Sequence, residues 1–168
     1  DPRFRQIAAR AVYQALVKFY VANRTGFTNS TLLPEPPTHV RVRSNGGGGV
    51  TISWAAPPFQ TDGHLGHAAT GYRVYRSRNG KGFDNGVTVT GGSTLSWTDT
   101  SVTPGEVYYY RVTATNAGGE SFPSETLAVR VPSAGSPQVL VVNGFDRLDA
   151  TANLVQSGAE RGFLSRMN

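Results

Sequence analysis

The central part of this chain of 168 residues is predicted to be all-β, in the form of a two-sheet sandwich. Between residues 39 and 132, apolar and polar residues alternate in short stretches, as they do along half-buried strands. Turn-forming residues separate these stretches, and the chain holds 20 Gly and 10 Pro. About seven short strands at such spacing indicate a β-sandwich.

The longest predicted strand follows the turn Pro104-Gly105 and shows the alternation most clearly. One of its faces carries Tyr108, Tyr110, Val112 and Ala114, and the other carries Tyr109, Arg111 and Thr113. Because the apolar face of such a strand is buried, we expect Tyr108 and Tyr110 in the core and Tyr109 and Arg111 on the surface.

The other predicted strands are shorter and follow the same rule. Their apolar positions are Val40 and Val42, Val50, Ile52 and Trp54, Tyr72 and Val74, Val87 and Val89, Leu95 and Trp97, and Leu127, Val129 and Val131. Trp54 and Tyr72 are large aromatic side chains at inward positions of this set. We therefore expect them to form the structural core together with the two inward tyrosines.

The N-terminal residues 1–26 predict an amphipathic helix. Apolar residues recur at i, i+3, i+4 and i+7 from Phe4 to Tyr20, which is the spacing of one helix face. Asp1 suits the N-cap, and Gly26 suits the position just after a helix end.

Two further segments flank the sandwich. Residues 27–38 contain three prolines between positions 34 and 37, which predicts an extended linker. Residues 133–168 form a second linker and a partial segment, in which the continuous apolar run from Val139 to Val142 predicts a strand buried on both faces. We expect this segment to be a short C-terminal β/α extension, the start of a further α/β-like domain.

Composition limits the possible functions. The net charge is +5, but the 16 Lys and Arg residues are scattered, so the sequence favours a solvated basic surface and not a nucleic-acid partner. No cysteine is present, which excludes disulfides and thiolate metal sites. No apolar run reaches the length of a membrane span. The chain opens directly into the helix pattern, so we expect it to be a piece of a longer protein.

The central motifs resemble those of a fibronectin type III domain. They are Pro-Pro-x-x-Val-x-Val at residues 36–42, Val-x-Ile-x-Trp at 50–54, Gly-Tyr-x-Val at 71–74, and Pro-Gly-x-x-Tyr-x-Tyr-Arg-Val-x-Ala-x-Asn-x-x-Gly at 104–119. The resemblance implies a seven-stranded, Ig-like β-sandwich over residues 39–132. It also implies that Trp54 packs between the sheets and that the Tyr108 hydroxyl bonds to backbone near the preceding turn.

The N-terminal helix resembles the last helix of zinc-dependent N-acetylmuramoyl-L-alanine amidases. The matching residues are Asp1-Pro2-Arg3-Phe4-Arg5-Gln6-Ile7-Ala8-Ala9-Arg10-Ala11-Val12-Tyr13 and Val17-Lys18-Phe19-Tyr20. The alternative is an unrelated amphipathic helix. The resemblance implies an extracytoplasmic bacterial cell-wall hydrolase, periplasmic, wall-associated or secreted, whose zinc ligands lie upstream of this chain. The segment from Val139 to Asp149 is similar to one found in large secreted bacterial hydrolases that carry such modules.

Two groups of residues are candidate binding sites. Arg73, Tyr75, Tyr109 and Arg111, with Arg130 as an extension, are expected on one outer sheet face, where Tyr beside Arg can hold a sugar ring or an anionic group. The alternative, which the sequence favours, is a set of cross-strand Tyr–Arg pairs. Asp62, His64 and His67 form a weak candidate metal set in a loop, for which an ordinary polar loop is the favoured alternative.

No catalytic constellation is visible in the sequence, and no cofactor is expected in this chain. The favoured hypothesis is a non-catalytic spacer or binding module of a cell-wall amidase-like hydrolase. Its partners would be neighbouring domains of the same protein and cell-wall glycan. The alternative is that the chain is a fragment of an active zinc-dependent peptidoglycan amidase whose catalytic residues, and zinc, lie upstream of Asp1.

Overall fold

The computed structural model describes residues 2–46, 48–59 and 65–133. The predicted C-terminal β/α extension, except for residue 133, lies outside the described residues, and so do Asp62 and His64 of the candidate metal set. Residues 17–133 contain the sandwich and belong to one compact unit. Residues 2–16, the first turns of the N-terminal helix, belong to a second unit.

The predicted N-terminal helix is confirmed as α1, Pro2–Asn23. Its end is marked by the side-chain amide of Asn23, which donates to the carbonyl of Phe19 at 2.9 Å, and by Gly26 with a φ of 86°. Ile7, Val12 and Phe19 on the apolar stripe are each about three-fifths exposed. The stripe therefore remains largely in contact with solvent.

Eight strand segments follow in two antiparallel sheets. They are β1 Thr38–Ser44, β2 Val50–Ala55, β3 Gly71–Ser77, β4 Val87–Thr90, β5 Ser96–Asp99, β6 Val107–Asn116, β7 Gly119–Glu120 and β8 Leu127–Arg130. The first sheet has the order β1-β2-β5. The second sheet has the order β4-β3-β6, and both β7 and β8 pair with β6.

The segments β7 and β8 form one interrupted edge of the second sheet. Between them, the hydroxyls of Ser121 and Ser124 accept the backbone N–H groups of Ala114 and Val112, at 2.9 and 3.0 Å. Pro123 lies within this break and has no N–H to donate. Counted as one edge, the segments bring the sandwich to the seven strands predicted, although the sequence pattern had indicated only the β8 part.

The core lies between the two sheets. It contains Val40, Val50, Ile52, Trp54, Tyr72, Val74, Val89, Tyr108, Tyr110, Val112, Ala114 and Val131. The rings of Trp54 and Tyr72 come from opposite sheets, and their centroids lie 5.2 Å apart. The Tyr108 hydroxyl accepts the backbone N–H of Thr103 at 3.0 Å, so the bond to the preceding turn is present. All four aromatic residues expected in the core are buried.

Candidate functional site

Three of the four predicted ligand residues meet on the outer face of β3 and β6. Tyr75 lies opposite Arg111, and Arg73 lies opposite Thr113 on the next outward rung. Tyr109 lies opposite Ser77, one rung in the other direction. A Cβ added at Gly80 would come within 3.2 Å of the Tyr109 ring, so this ring packs against the turn after β3.

Glu120 on β7, which was not among the predicted site residues, connects these residues. Its carboxylate accepts the Tyr75 hydroxyl at 2.5 Å and the Thr113 hydroxyl at 2.6 Å. A guanidinium nitrogen of Arg73 lies 3.7 Å from the same carboxylate. We call Arg73, Tyr75, Arg111, Thr113 and Glu120 the Glu120 cluster.

The charge of Arg111 is held between two rings. Its guanidinium carbon lies 5.3 Å from the centroid of Tyr75 and 4.0 Å from that of Phe83. Both distances are typical of cation–π contacts, in which the face of the ring attracts the cation. The predicted Tyr–Arg pairing across the strands is therefore present at this rung.

Electrostatics in the Glu120 cluster favour the ionised carboxylate. Burial would raise the pKa of Glu120, but hydrogen bonds from Thr113 and Tyr75 and the charges of Arg73 and Arg111 lower it overall. Burial, followed by the hydrogen bond to Glu120, raises the pKa of Tyr75. The Tyr75 hydroxyl thus remains a neutral donor within the cluster.

Arg130, which was predicted to extend this surface, lies away from the Glu120 cluster. It is opposite Val107 at the start of β6, whereas Glu120 is opposite Thr115 near the end of that strand. The described structure therefore brings Arg73, Tyr75 and Arg111 together but leaves Arg130 at the other end of the sheet.

A second polar network, buried between the sheets, was not found from the sequence. Asp99 at the end of β5 is 2% exposed. Its carboxylate accepts Arg76 and the Tyr110 hydroxyl, both at 2.9 Å, and the backbone N–H and hydroxyl of Ser101 at 2.9 and 2.7 Å. Arg76 and Tyr110 belong to the second sheet and Asp99 to the first, so this network joins the two sheets.

The pKa of Asp99 shows how well the buried charge is compensated. Burial would raise the pKa, but the hydrogen bonds from Ser101 and Tyr110 and the charge of Arg76 lower it overall. Burial and the bond to Asp99 raise the pKa of Tyr110, so its hydroxyl stays protonated and donates. The network is structural, because every group in it is directed at another group of the protein.

The proline-rich segment before β1 lies against the sandwich. We call residues 29–35 the strap. The side-chain amide of Asn29 donates to the carbonyl of Ala117 at 2.7 Å, and that of Asn116 donates to the carbonyl of Leu32 at 2.9 Å. The backbone N–H of Leu32 donates to Nδ1 of His67 at 3.2 Å. Leu32 itself is buried.

Two glycines of the sandwich leave room for the strap. A Cβ at Gly66 would collide with the carbonyl of Leu33, and a Cβ at Gly118 would collide with the carbonyl of Thr31. The N–H of Gly66 also donates to the Glu35 carboxylate at 3.0 Å. The strap therefore sits in a seat built from the loops before β3 and after β6.

His67, the described member of the candidate metal set, faces the strap through Nδ1. Across residues 2–46, 48–59 and 65–133, no group of three or more His, Asp or Glu side chains is placed to hold a metal ion. The same residues contain no helix long and apolar enough to cross a membrane.

Comparison with known proteins gives a family for the sandwich. The family model described as "Fibronectin type III domain" matches residues 35–130. The fast-type myosin-binding protein C of Gallus gallus is 33% identical over 147 residues, or 84% of this chain. This chain spans 13% of the length of that relative.

Two solved structures share the fold. The third fibronectin III domain of the human KIAA0343 protein has a TM-score of 0.53 and 19% identity, covering 70% of this chain and 97% of that one. The twitchin kinase region of C. elegans has a TM-score of 0.50 and 22% identity, covering 63% of this chain and 18% of that one. The predicted fold of the central residues is confirmed, whereas the amidase-like helix lies outside the residues that the family model matches.

Proposed function

The chain belongs to the fibronectin type III family, and we propose that its module is a non-catalytic spacer of a bacterial cell-wall hydrolase. In this proposal, residues 1–26 complete an upstream amidase-like domain and residues 27–38 join it to the sandwich. Residues 133–168 lead into a further domain. The protein would work outside the cytoplasm, and any zinc would belong to the upstream domain.

The docked strap is the observation that carries the spacer role. A proline-rich segment in solution is a semi-rigid rod with free ends. Here the strap is bonded to the sandwich through Asn29, Leu32 and Glu35, on both of the loops that form its seat. Ordering each such residue costs about 1–2 kcal/mol of conformational entropy, which the contacts of the strap offset. Because the strap is fixed in this way, the chain enters the sandwich from one defined direction.

The exposed helix stripe supports an upstream domain. Ile7, Val12 and Phe19 would bury their apolar side chains if another surface covered them. The resemblance of residues 1–20 to the last helix of amidase domains supports such a domain as the covering surface. The myosin binding named for the chicken relative is a property of a protein of which this chain covers 13%.

A glycan contact at the outer face of β3 and β6 is the second candidate function. The Nε atoms of Arg73 and Arg111 are buried and have no hydrogen-bond partner in the described part of the chain. The Arg73 side chain is also 39% exposed. Against this candidate, Tyr75 and Arg111 already pair with Glu120 and Phe83. A contact at this face would therefore depend on Tyr109 and on the exposed part of Arg73, whose guanidinium already lies 3.7 Å from the Glu120 carboxylate.

The spacer role is tested on the full-length protein by releasing the strap. The Gly118→Ala variant is expected to cleave intact peptidoglycan at least severalfold more slowly than the wild type, while cleavage of a soluble muramyl peptide stays unchanged. Gly82→Ala is the matched control, because a Cβ at Gly82 meets nothing within 4 Å. The glycan contact is tested with the Tyr109→Ser variant, after its folding has been checked. If Tyr109 contacts glycan, this variant should be retained less on the same peptidoglycan than the wild type.

Three results would decide against the proposal. Equal losses on both substrates would mean that the sandwich is part of the catalytic unit, as in the alternative of a fragment of the active enzyme. Absence of amidase activity from the full-length protein would remove the cell-wall context. Retention of the protein on myosin filaments but not on peptidoglycan would also remove it.

A further inference from the structure

The outer face of the first sheet carries two exposed arginines that form no contact stabilising the described sandwich. Arg41 and Arg43 on β1 are exposed and alternate with the inward Val40 and Val42. Neither forms a hydrogen bond, ion pair or ring contact with another described residue. Within the described part of the chain, their guanidinium groups are therefore free for a partner.

Hydroxyl side chains continue each arginine across the sheet. The register aligns Arg41 with Ser53 on β2 and with Ser96 on β5, and it aligns Arg43 with Thr51 and Thr98. Neighbouring strands lie about 4.8 Å apart, and alternate residues along a strand lie about 6.7 Å apart. The face thus presents two parallel rows, each made of one guanidinium followed by two hydroxyls. We call these six residues the arginine–hydroxyl face.

The two rows differ in how far their hydroxyls are already bonded. Thr51 exchanges hydrogen bonds with Asn45 and lies 3.0 Å from the Thr98 hydroxyl. Ser53 and Ser96 form no side-chain hydrogen bond with another described residue. Among the described residues, the row that begins at Arg41 therefore has no side chain already bonded, whereas the hydroxyls of the row that begins at Arg43 are bonded to each other and to Asn45.

Two arginines on the outer face of the second sheet differ from Arg41 and Arg43 in this respect. There, Arg73 faces the Glu120 carboxylate and Arg111 is enclosed by two aromatic rings. The arginine–hydroxyl face contains no acidic residue and no aromatic one. Its positive charge is uncompensated within the face, in a chain whose net charge is +5.

From this complementarity we infer that the arginine–hydroxyl face binds a carboxylate-bearing polysaccharide. A guanidinium donates two parallel hydrogen bonds to a carboxylate, one to each oxygen, and the adjacent hydroxyls can donate to the remaining lone pairs of that carboxylate and bond to sugar hydroxyls. Single-stranded nucleic acid fits less well, because its binding sites combine basic groups with aromatic rings on which bases stack. The inference specifies the class of glycan that the proposed module would bind at the cell surface. It does not require the upstream amidase-like domain.

The test measures binding of this chain to polygalacturonate at low salt. The variant Arg41→Gln/Arg43→Gln is expected to bind about tenfold more weakly than the wild type, and its affinity should depend less steeply on salt. The matched control is Lys81→Gln/Arg130→Gln, which removes the same charge from exposed positions outside the face. This control should change the affinity by less than about twofold, and dextran should not bind any of the three proteins.

Other outcomes would overturn the inference. Equal losses in the two double variants would show that binding follows net charge alone. Tighter retention of single-stranded DNA than of polygalacturonate, lost in the Arg41/Arg43 variant, would assign the face to nucleic acid. Because all four substituted side chains are exposed, unchanged urea unfolding is expected for both variants, and a measured difference in affinity then reports binding.

Discussion

At the scale of single residues, buried polar groups distinguish this sandwich from a purely apolar one. Alternation along β6 correctly indicated that Tyr108 and Tyr110 face inward. The same alternation along β3 places Arg76 on the inward face, after Tyr72 and Val74. Its partner Asp99 could not be found locally, because the two residues meet only when the sheets are packed together.

Asp99→Ala is expected to lower the free energy of unfolding by about 3 kcal/mol, because it leaves Arg76 and the buried Tyr110 hydroxyl without their acceptor. The measurement is urea unfolding at pH 7. Glu125→Gln, at an exposed position, is the control and should change the free energy by no more than about 0.5 kcal/mol. A loss below about 1 kcal/mol in Asp99→Ala would contradict the role assigned to this network.

At the scale of elements, local patterns predicted most strands but missed β7, which has no apolar residue. The segment β7 consists of Gly119 and Glu120 and carries no hydrophobic signal, so only its pairing with the end of β6 defines it. The strap shows the same limit. Prolines predicted its extended path, whereas its docking depends on Asn116, which is 84 residues from Leu32 along the chain.

Substitution at Gly118 should separate the strap from the sandwich. Gly118→Ala places a Cβ against the carbonyl of Thr31, so we expect a loss of roughly 1–3 kcal/mol and faster hydrogen exchange of the Leu32 amide. Gly82→Ala, where a Cβ meets open space, should leave both quantities nearly unchanged. Protection of the Leu32 amide that is equal in the two variants would show that the strap does not need this seat.

At the scale of the whole molecule, two ionised carboxylates stabilise the sandwich in addition to its apolar core. Both Asp99 and Glu120 have a pKa below its ordinary value because of their hydrogen bonds and the neighbouring arginines, against the effect of burial. One joins the sheets, and the other joins β3, β6 and β7 within a sheet. Protonation of either group would weaken its hydrogen bonds and its ion pair between these elements.

Stability should therefore fall in acid. A carboxylate whose pKa is lower in the folded state contributes stability that is complete above the unfolded pKa of about 4 and is lost as the pH falls through the folded value. The urea midpoint should be level from pH 7 to about 5 and should decline steadily below about pH 4. Asp99→Asn should be less stable at pH 7 and show a shallower decline. A decline as steep as in the wild type would assign the acid sensitivity to other groups.

Period-two alternation and turn residues were sufficient to predict the sandwich, its core and the outward position of Tyr75 and Arg111. These features depend on the geometry of a single strand. Tertiary structure decided which polar groups are already paired. Glu120 and Asp99 pair with Arg73 and Arg76 of the second sheet, whereas Arg41 and Arg43 on the first sheet have no such acceptor among the described residues. The physical reason is that hydrogen bonds and ion pairs act over about 3–4 Å between strands distant in sequence, and only packing brings those strands together.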